Sequence, residues 1–122
     1  MGKKILIVDD AASMRGLVAM TLKKSGYEVV EASDGKDALT KLSSVGKVDL
    51  IITDLNMPNM DGIELIKTLK ADIKYRFIPV IMLTTESQEA KKEEGRKAGA
   101  KAWIVKPFKP DVLVSVVKKI IG

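Results

Sequence analysis

Two aspartates, Asp9 and Asp10, stand side by side directly after the apolar run Ile5 to Val8, and a third, Asp54, follows the stretch Leu50 to Thr53. Adjacent carboxylates at the mouth of a core repel each other and lose solvation unless something positive lies between them. The chain has no cysteine and no histidine. Thiolate metal sites, thiol nucleophiles, the commonest zinc ligand and the usual general base are therefore excluded. Chemistry has to run on carboxylates, hydroxyls and lysines. Three carboxylates make a hard-oxygen site, which suits Mg²⁺ best, because that ion accepts one or a few carboxylates and keeps several waters. Thr84, Thr85 and Lys106 also stand at the ends of apolar runs and complete the candidate set. Each has an ordinary alternative. A lone aspartate after a strand is commonly a turn former or helix cap, a role open to Asp10; Thr84 suits any strand, and Lys106 any solvated strand end.

Whether these groups meet depends on the elements that carry them. Ile5 to Val8, Leu50 to Ile52 leading into Thr53, Val80 to Leu83, and Trp103 to Val105 read as strands buried on both faces, while Tyr27 to Ala32 is more mixed and suits an edge. Helical spacing fills the intervals: Met14, Leu17, Val18 and Leu22 share a face, as do Ala38, Leu39 and Leu42, then Ile63, Ile66 and Leu69. Val112, Leu113, Val116, Val117, Ile120 and Ile121 make the clearest apolar stripe. Glycines at 26, 35, 46, 62 and 99 fall where elements should stop or turn, and Pro79 precedes a strand. Gln88 to Lys97 is the weakest helix, with Ala90 as its only apolar anchor before Ala98 and with Gly95 inside it at a cost of roughly 1 kcal/mol. Five strands alternating with five helices predict an α/β domain, a mostly parallel sheet wound on both faces by right-handed crossovers. In such sheets functional groups collect beyond the carboxyl ends of the strands. Asp9, Asp10, Asp54, Thr84, Thr85 and Lys106 all occupy such ends.

A length of 122 residues, 46% hydrophobic and 30% charged, suits one globular domain with its own core. No apolar stretch approaches the roughly 20 residues of a membrane helix, and Met1 to Lys4 is too short and polar to open a signal peptide, so a cytoplasmic location is expected. The net charge of +5 raises the question of nucleic acid. The lysines, however, are scattered (Lys23, Lys41, Lys67, Lys91, Lys118) without interleaved aromatics, and they read as a solvated surface.

Four blocks together carry a family resemblance: VDD at Val8 to Asp10, DLNMPNMDG at Asp54 to Gly62, LTTES at Leu83 to Ser87, and KPF at Lys106 to Phe108. In this order and spacing the chain resembles the receiver domains of two-component signalling, and within them the stand-alone chemotaxis regulators of the CheY group. The resemblance covers residues 1–122 as one receiver domain and implies a flavodoxin-like sheet of order 2-1-3-4-5. It implies that Asp54 accepts a phosphoryl group from a phosphohistidine of a partner histidine kinase. Asp10, Asp54 and the backbone carbonyl of Asn56 would bind Mg²⁺, with Asp9 acting largely through water. Lys106 and Thr84 would hold phosphoryl oxygens, and the Lys106–Pro107 bond would be cis, although composition alone favours trans. Thr84 and the aromatic Trp103 would form the switch that alters the face built from the fourth helix, fifth strand and fifth helix. Asn56 and Glu86 would tune self-dephosphorylation, which leaves open whether the chain counts as an enzyme. A flagellar motor switch or similar protein is the implied effector of a monomeric regulator.

Trp103 stands where many members of the family carry Tyr or Phe, and Leu55 where the best-known chemotaxis regulator has an aromatic. A phosphorelay intermediate, or a receiver excised from a larger regulator, is an alternative within the family. A Mg²⁺-dependent phosphatase with an aspartyl nucleophile is the alternative from another class, but it calls for a second aspartate where Asn56 stands. A flavin or nucleotide protein would need a glycine-rich loop after the first strand, where the chain has DDAASMRG.

Overall fold

The computed structural model describes residues 2–122. Its elements alternate strictly: β1 (Lys4–Val8), α1 (Ala12–Lys24), β2 (Glu28–Ala32), α2 (Gly35–Ser44), β3 (Leu50–Thr53), α3 (Gly62–Ala71), β4 (Val80–Thr84), α4 (Glu89–Ala98), β5 (Ala102–Val105) and α5 (Pro110–Ile121). The strands form one all-parallel sheet in the order β2-β1-β3-β4-β5. The mixed strand β2 lies at one edge, as its composition predicts, but β5, read as buried on both faces, lies at the other, where with no strand beyond it only Ile104 is buried.

Successive side chains of a strand point to opposite faces, so an unbroken apolar run needs cover on both. Leu6, Val8, Ile51, Val80 and Met82 pack against Ala38, Leu42, Ile66 and Leu69 on one face. Ile5, Ile7, Leu50, Ile52, Ile81 and Leu83 pack against Val18, Leu22, Leu113 and Val117 on the other. The sheet is thus the partition between two cores. Its interior strands cannot shift by one residue without exchanging the two sets.

Three expectations about helix faces need correction. Leu17 is exposed, and Val18, Ala19 and Leu22 carry the buried side of α1. In α5 only Leu113 and Val117 are fully buried, while Val112 is exposed, because the terminal helix rests on one flank of the domain and presents a narrower seam than its apolar stripe. Ala90 is exposed, and the one fully buried residue of α4 is Gly95.

Gly95 is explained by its neighbour. A Cβ there would lie 2.7 Å from Cζ3 and 3.2 Å from Cε3 of Trp103, so the indole occupies the space that any side chain would need. Gly95→Ala is expected to destabilise by about 1–3 kcal/mol through overpacking, despite the better helix propensity of alanine. Trp103 emission should shift towards that of a solvated indole, and unchanged emission with raised stability would contradict the packing.

Charge follows the helix axes. Each helix carries Lys or Arg in its last turn: Lys23 and Lys24, Lys41, Lys70, Arg96 and Lys97, Lys118 and Lys119. Helices that follow parallel strands run back against them, so these cations meet the negative helix ends at the amino edge of the sheet. Much of the basic excess therefore has a structural explanation. Among the described residues, no helix is long and apolar enough to cross a membrane.

Candidate functional site

The register of the central strands determines which side chains can meet. Val8, Thr53 and Met82 form one paired row across β1, β3 and β4. Asp9 and Asp54 each lie one residue beyond that row, on adjacent strands. Their backbones stay tied in: Asp9 N–H donates to the Ala32 carbonyl at 3.1 Å, and Asp54 N–H to the Val8 carbonyl at 2.9 Å. Thr84 and Lys106 are joined in the same way, by Lys106 N–H to the Thr84 carbonyl at 2.8 Å. Asp9, Asp54, Thr84 and Lys106 are thus fixed at one sheet edge by ladder bonds rather than by loops.

Carboxylate oxygens of Asp9, Asp10 and Asp54 all lie within 4.8 Å of one another. Lys106 reaches back over them, its Nζ 2.8 Å from Asp9 Oδ2 and 3.3 Å from Asp54 Oδ2. Its peptide bond to Pro107 is cis, in agreement with the expectation. Each of the two inner carboxylates keeps its second oxygen on a backbone donor. Ala11 N–H donates to Asp9 Oδ1 at 2.9 Å, and Leu55 N–H to Asp54 Oδ1 at 2.7 Å. Asp9 is buried and Asp54 half-buried, so these bonds offset part of their lost hydration.

Asp10 differs. It is exposed, and it is not the helix cap that its position allowed: Ala11 is the residue before α1, and no side chain caps that helix end. Three carboxylates facing one ammonium leave two negative charges uncompensated. A divalent cation matches that remainder in charge, and three hard oxygens match Mg²⁺ in ligand type.

Thr84 is fully buried, and its hydroxyl accepts the Glu86 N–H at 3.3 Å. The Trp103 indole N–H donates to the Glu86 carbonyl at 2.9 Å, so Glu86 links the end of β4 to the ring on β5. The Glu86 carboxylate accepts from Gln88 N–H at 3.1 Å. Asn56 is exposed, two residues beyond Asp54; Thr85, next to Thr84, is exposed as well.

The loop after Asp54 is held closely. Gly62 N–H donates to the Leu55 carbonyl at 2.8 Å, Asn59 takes a left-handed conformation at φ 71°, and Asp61 with Glu64 forms a capping box at the start of α3. A Cβ on Gly62 would collide with the Asp54 carbonyl oxygen and lie 3.0 Å from Met82 Sδ. The backbone cannot yield as a flexible side chain would. Gly62→Ala is therefore expected to cost about 3 kcal/mol of unfolding free energy, read from the urea midpoint; a change below about 0.5 kcal/mol would contradict this packing.

Arg15 was not among the candidates. Its Nη1 donates to the Asp9 carbonyl at 2.6 Å, and its Nε pairs with Glu31 at 3.1 Å. It braces the backbone of the first aspartate. Nothing local in the sequence signals this, because Glu31 belongs to a different strand.

A family model described as the response regulator receiver domain matches residues 5–118. The chain is 42% identical to the chemotaxis protein CheY1 of Helicobacter pylori over 120 residues, covering 98% of this chain and 97% of that protein. It is also 42% identical to the CheY homolog of Campylobacter jejuni over 120 residues, covering 98% of this chain and 92% of that one. Among solved structures, the chemotaxis response regulator CheY4 of Vibrio cholerae superposes with a TM-score of 0.91 at 43% identity, covering 98% of this chain and 99% of that one. The signal receiver domain of a signal transduction histidine kinase from Syntrophus aciditrophicus gives 0.90 at 37% identity, covering 98% and 90%. With its five parallel strands in the order 2-1-3-4-5 and three aspartates gathered at their carboxyl edge, the chain belongs to the response regulator receiver domain family, homologous to the CheY chemotaxis regulators.

Proposed function

We propose that Asp54 is the phosphoacceptor of a chemotaxis-type response regulator. A carboxylate oxygen of Asp54 attacks the phosphorus of a phosphohistidine on a partner kinase. The new P–O bond forms as the P–N bond breaks, and the imidazole leaves with its nitrogen electron pair and takes up a proton. The observation that carries this reading is the ammonium of Lys106 shared between Asp9 and Asp54 beside the exposed Asp10.

Asp10, Asp54 and the backbone carbonyl of Asn56 would hold Mg²⁺, and Asp9, already engaged by Lys106 and Ala11 N–H, would act through water. When bound, the ion offsets the charge of an anionic nucleophile meeting an anionic donor. Leu55 N–H keeps the plane of the Asp54 carboxylate fixed. Lys106 already lies on Asp54 Oδ2 and needs only a short movement to neutralise a phosphoryl oxygen, while the Thr84 hydroxyl gives up the bond it accepts from Glu86 N–H and donates its own proton to another phosphoryl oxygen.

That exchange is the switch. Thr84 and Trp103 both engage Glu86, so drawing the Thr84 hydroxyl towards the new phosphoryl group disturbs the seat of the indole and, through Gly95, the position of α4. The α4–β5–α5 face then changes its affinity for a flagellar motor switch or comparable effector in the cytoplasm. Asn56 and Glu86 set how long the phosphoryl group survives.

Beryllofluoride titrated in the presence of Mg²⁺, with Trp103 emission as the readout, tests acceptor and switch together. A saturable change that disappears on chelation is expected. A change independent of Mg²⁺ would refute the site as drawn.

A further inference from the structure

At the opposite edge of the sheet, the α3–β4 turn displays the two most exposed large hydrophobic side chains among the described residues, Ile73 at 77% and Phe77 at 83%. Such exposure is unremarkable in a floppy loop. This turn is not one. Tyr75 and Arg76 N–H groups both donate to the Asp72 carbonyl, at 3.1 and 2.9 Å, and Lys74 N–H donates to Asp72 Oδ1 at 2.8 Å. The Lys70 ammonium staples the far side, donating to the carbonyls of Arg76 at 3.0 Å and Ile78 at 3.3 Å.

That staple has its own support. Burial, and secondarily Lys101, lower the Lys70 pKa. The Lys70 stem crosses Gly99 so closely that a Cβ there would lie 2.7 Å from Lys70 Cε, and Gly99 has φ +124°. Glycine at 99, the path of Lys70 and the shape of the turn form one chain of dependence, whose outcome is that Ile73 and Phe77 are held outwards.

Basic and aromatic residues alternate here as Lys74, Tyr75, Arg76, Phe77, contrary to the scattered placement expected of the cations. Arg76 lies 5.0 Å from the Phe77 ring centroid and Lys74 5.7 Å from that of Tyr75. Among the described residues neither Lys74 nor Arg76 has a carboxylate partner. Beside them runs a groove of about 380 Å³ lined by Leu42, Val48, Tyr75, Phe77 and Ile78, with Lys47 on its rim. Its one acidic residue, Asp49, is already engaged by Lys4 N–H at 2.8 Å and by Lys47 at 3.6 Å.

We infer that this edge is a second docking surface, which takes an acidic segment of a partner protein by seating one apolar anchor in the groove beside Phe77 and setting carboxylates on Lys74 and Arg76. A second copy of the chain would oppose cation to cation. A planar bilayer would leave the groove unfilled. Neither objection applies to an acidic peptide, and a rigid turn loses little conformational entropy when it is engaged. The surface is remote from the acid site and does not depend on the phosphoacceptor reading.

Short fluorescein-labelled peptides of Asp and Glu around a single central Leu, Phe or Trp are the probe, with fluorescence polarisation of the intact chain as the measurement. Binding is expected to weaken at least about tenfold in Phe77→Ala and in the double variant Lys74→Glu, Arg76→Glu, to weaken in Ile73→Ser, and to fall with added salt. These side chains are exposed, so native urea midpoints should accompany the losses. No binding up to about 1 mM, binding equal in wild type and variants, or replacement of peptide binding by self-association or by capture on anionic phosphatidylserine vesicles would each overturn the proposal.

Discussion

Asp54→Asn is expected to lower incorporation of radiolabel from a small acyl phosphate in Mg²⁺ at least about 10²-fold. The amide oxygen is a poor nucleophile, and its product would not retain the phosphoryl group. The fold should survive the change. Leu55 N–H, now on Asp54 Oδ1 at 2.7 Å, can donate equally well to an amide oxygen, and Lys106 keeps Asp9 as its nearer partner at 2.8 Å. The substitution also removes one of three crowded carboxylates. Loss of label with a near-native urea midpoint therefore separates lost chemistry from lost structure. Stoichiometric labelling of the variant, mapped to Asp9 or Asp10, would transfer the acceptor role to a neighbour.

Lys106→Met tests the other half of the site. The Lys106 side chain is 8% exposed and that of Asp9 5%. Removing the ammonium leaves a buried carboxylate facing two others with no cation between them. Breaking one side of a buried ion pair costs about 3–5 kcal/mol; with the backbone donor on Asp9 retained, about 3 kcal/mol is expected in chelator. The urea midpoint should fall at unchanged slope. Mg²⁺ should narrow the deficit, because without the ammonium the carboxylates bind the ion more tightly than in the wild type, and at saturating ion each tenfold difference in Kd adds about 1.4 kcal/mol. Labelling should remain slow even with the ion present, since the ion replaces the charge of Lys106 but not its position against a phosphoryl oxygen. An equal deficit with and without Mg²⁺ would mean that Lys106 acts through packing instead of charge.

The elements around this site were legible because apolar runs covered on both faces leave little ambiguity. Ile5 to Val8 and Leu50 to Thr53 have no polar face to present, and helical spacing between them leaves few topologies open. The end of each run marked Asp9, Asp54 and Lys106 as edge residues. Helix faces were less legible. Leu17 and Val112 belong to apolar patterns yet stay exposed, because how much of a stripe is covered depends on where the neighbouring helix lies. Gly95 was read as a weakness of α4 when it is the seat of the Trp103 ring, a contact between segments that no local pattern encodes.

The sequence alone determined the chemistry available to this protein: without cysteine or histidine, only carboxylates, hydroxyls and ammonium groups remain, and periodicity places them at strand ends. The strand order came from resemblance, since a 2-1-3-4-5 sheet and its permutations share the same periodicity. Only the tertiary structure brought Asp9 and Asp54 to adjacent register positions, laid one Lys106 ammonium across both, and left Asp10 free of the cap its position suggested. Distances between side chains on different strands depend on register and twist. Those are properties of the assembled sheet, to which each segment contributes but which none specifies by itself.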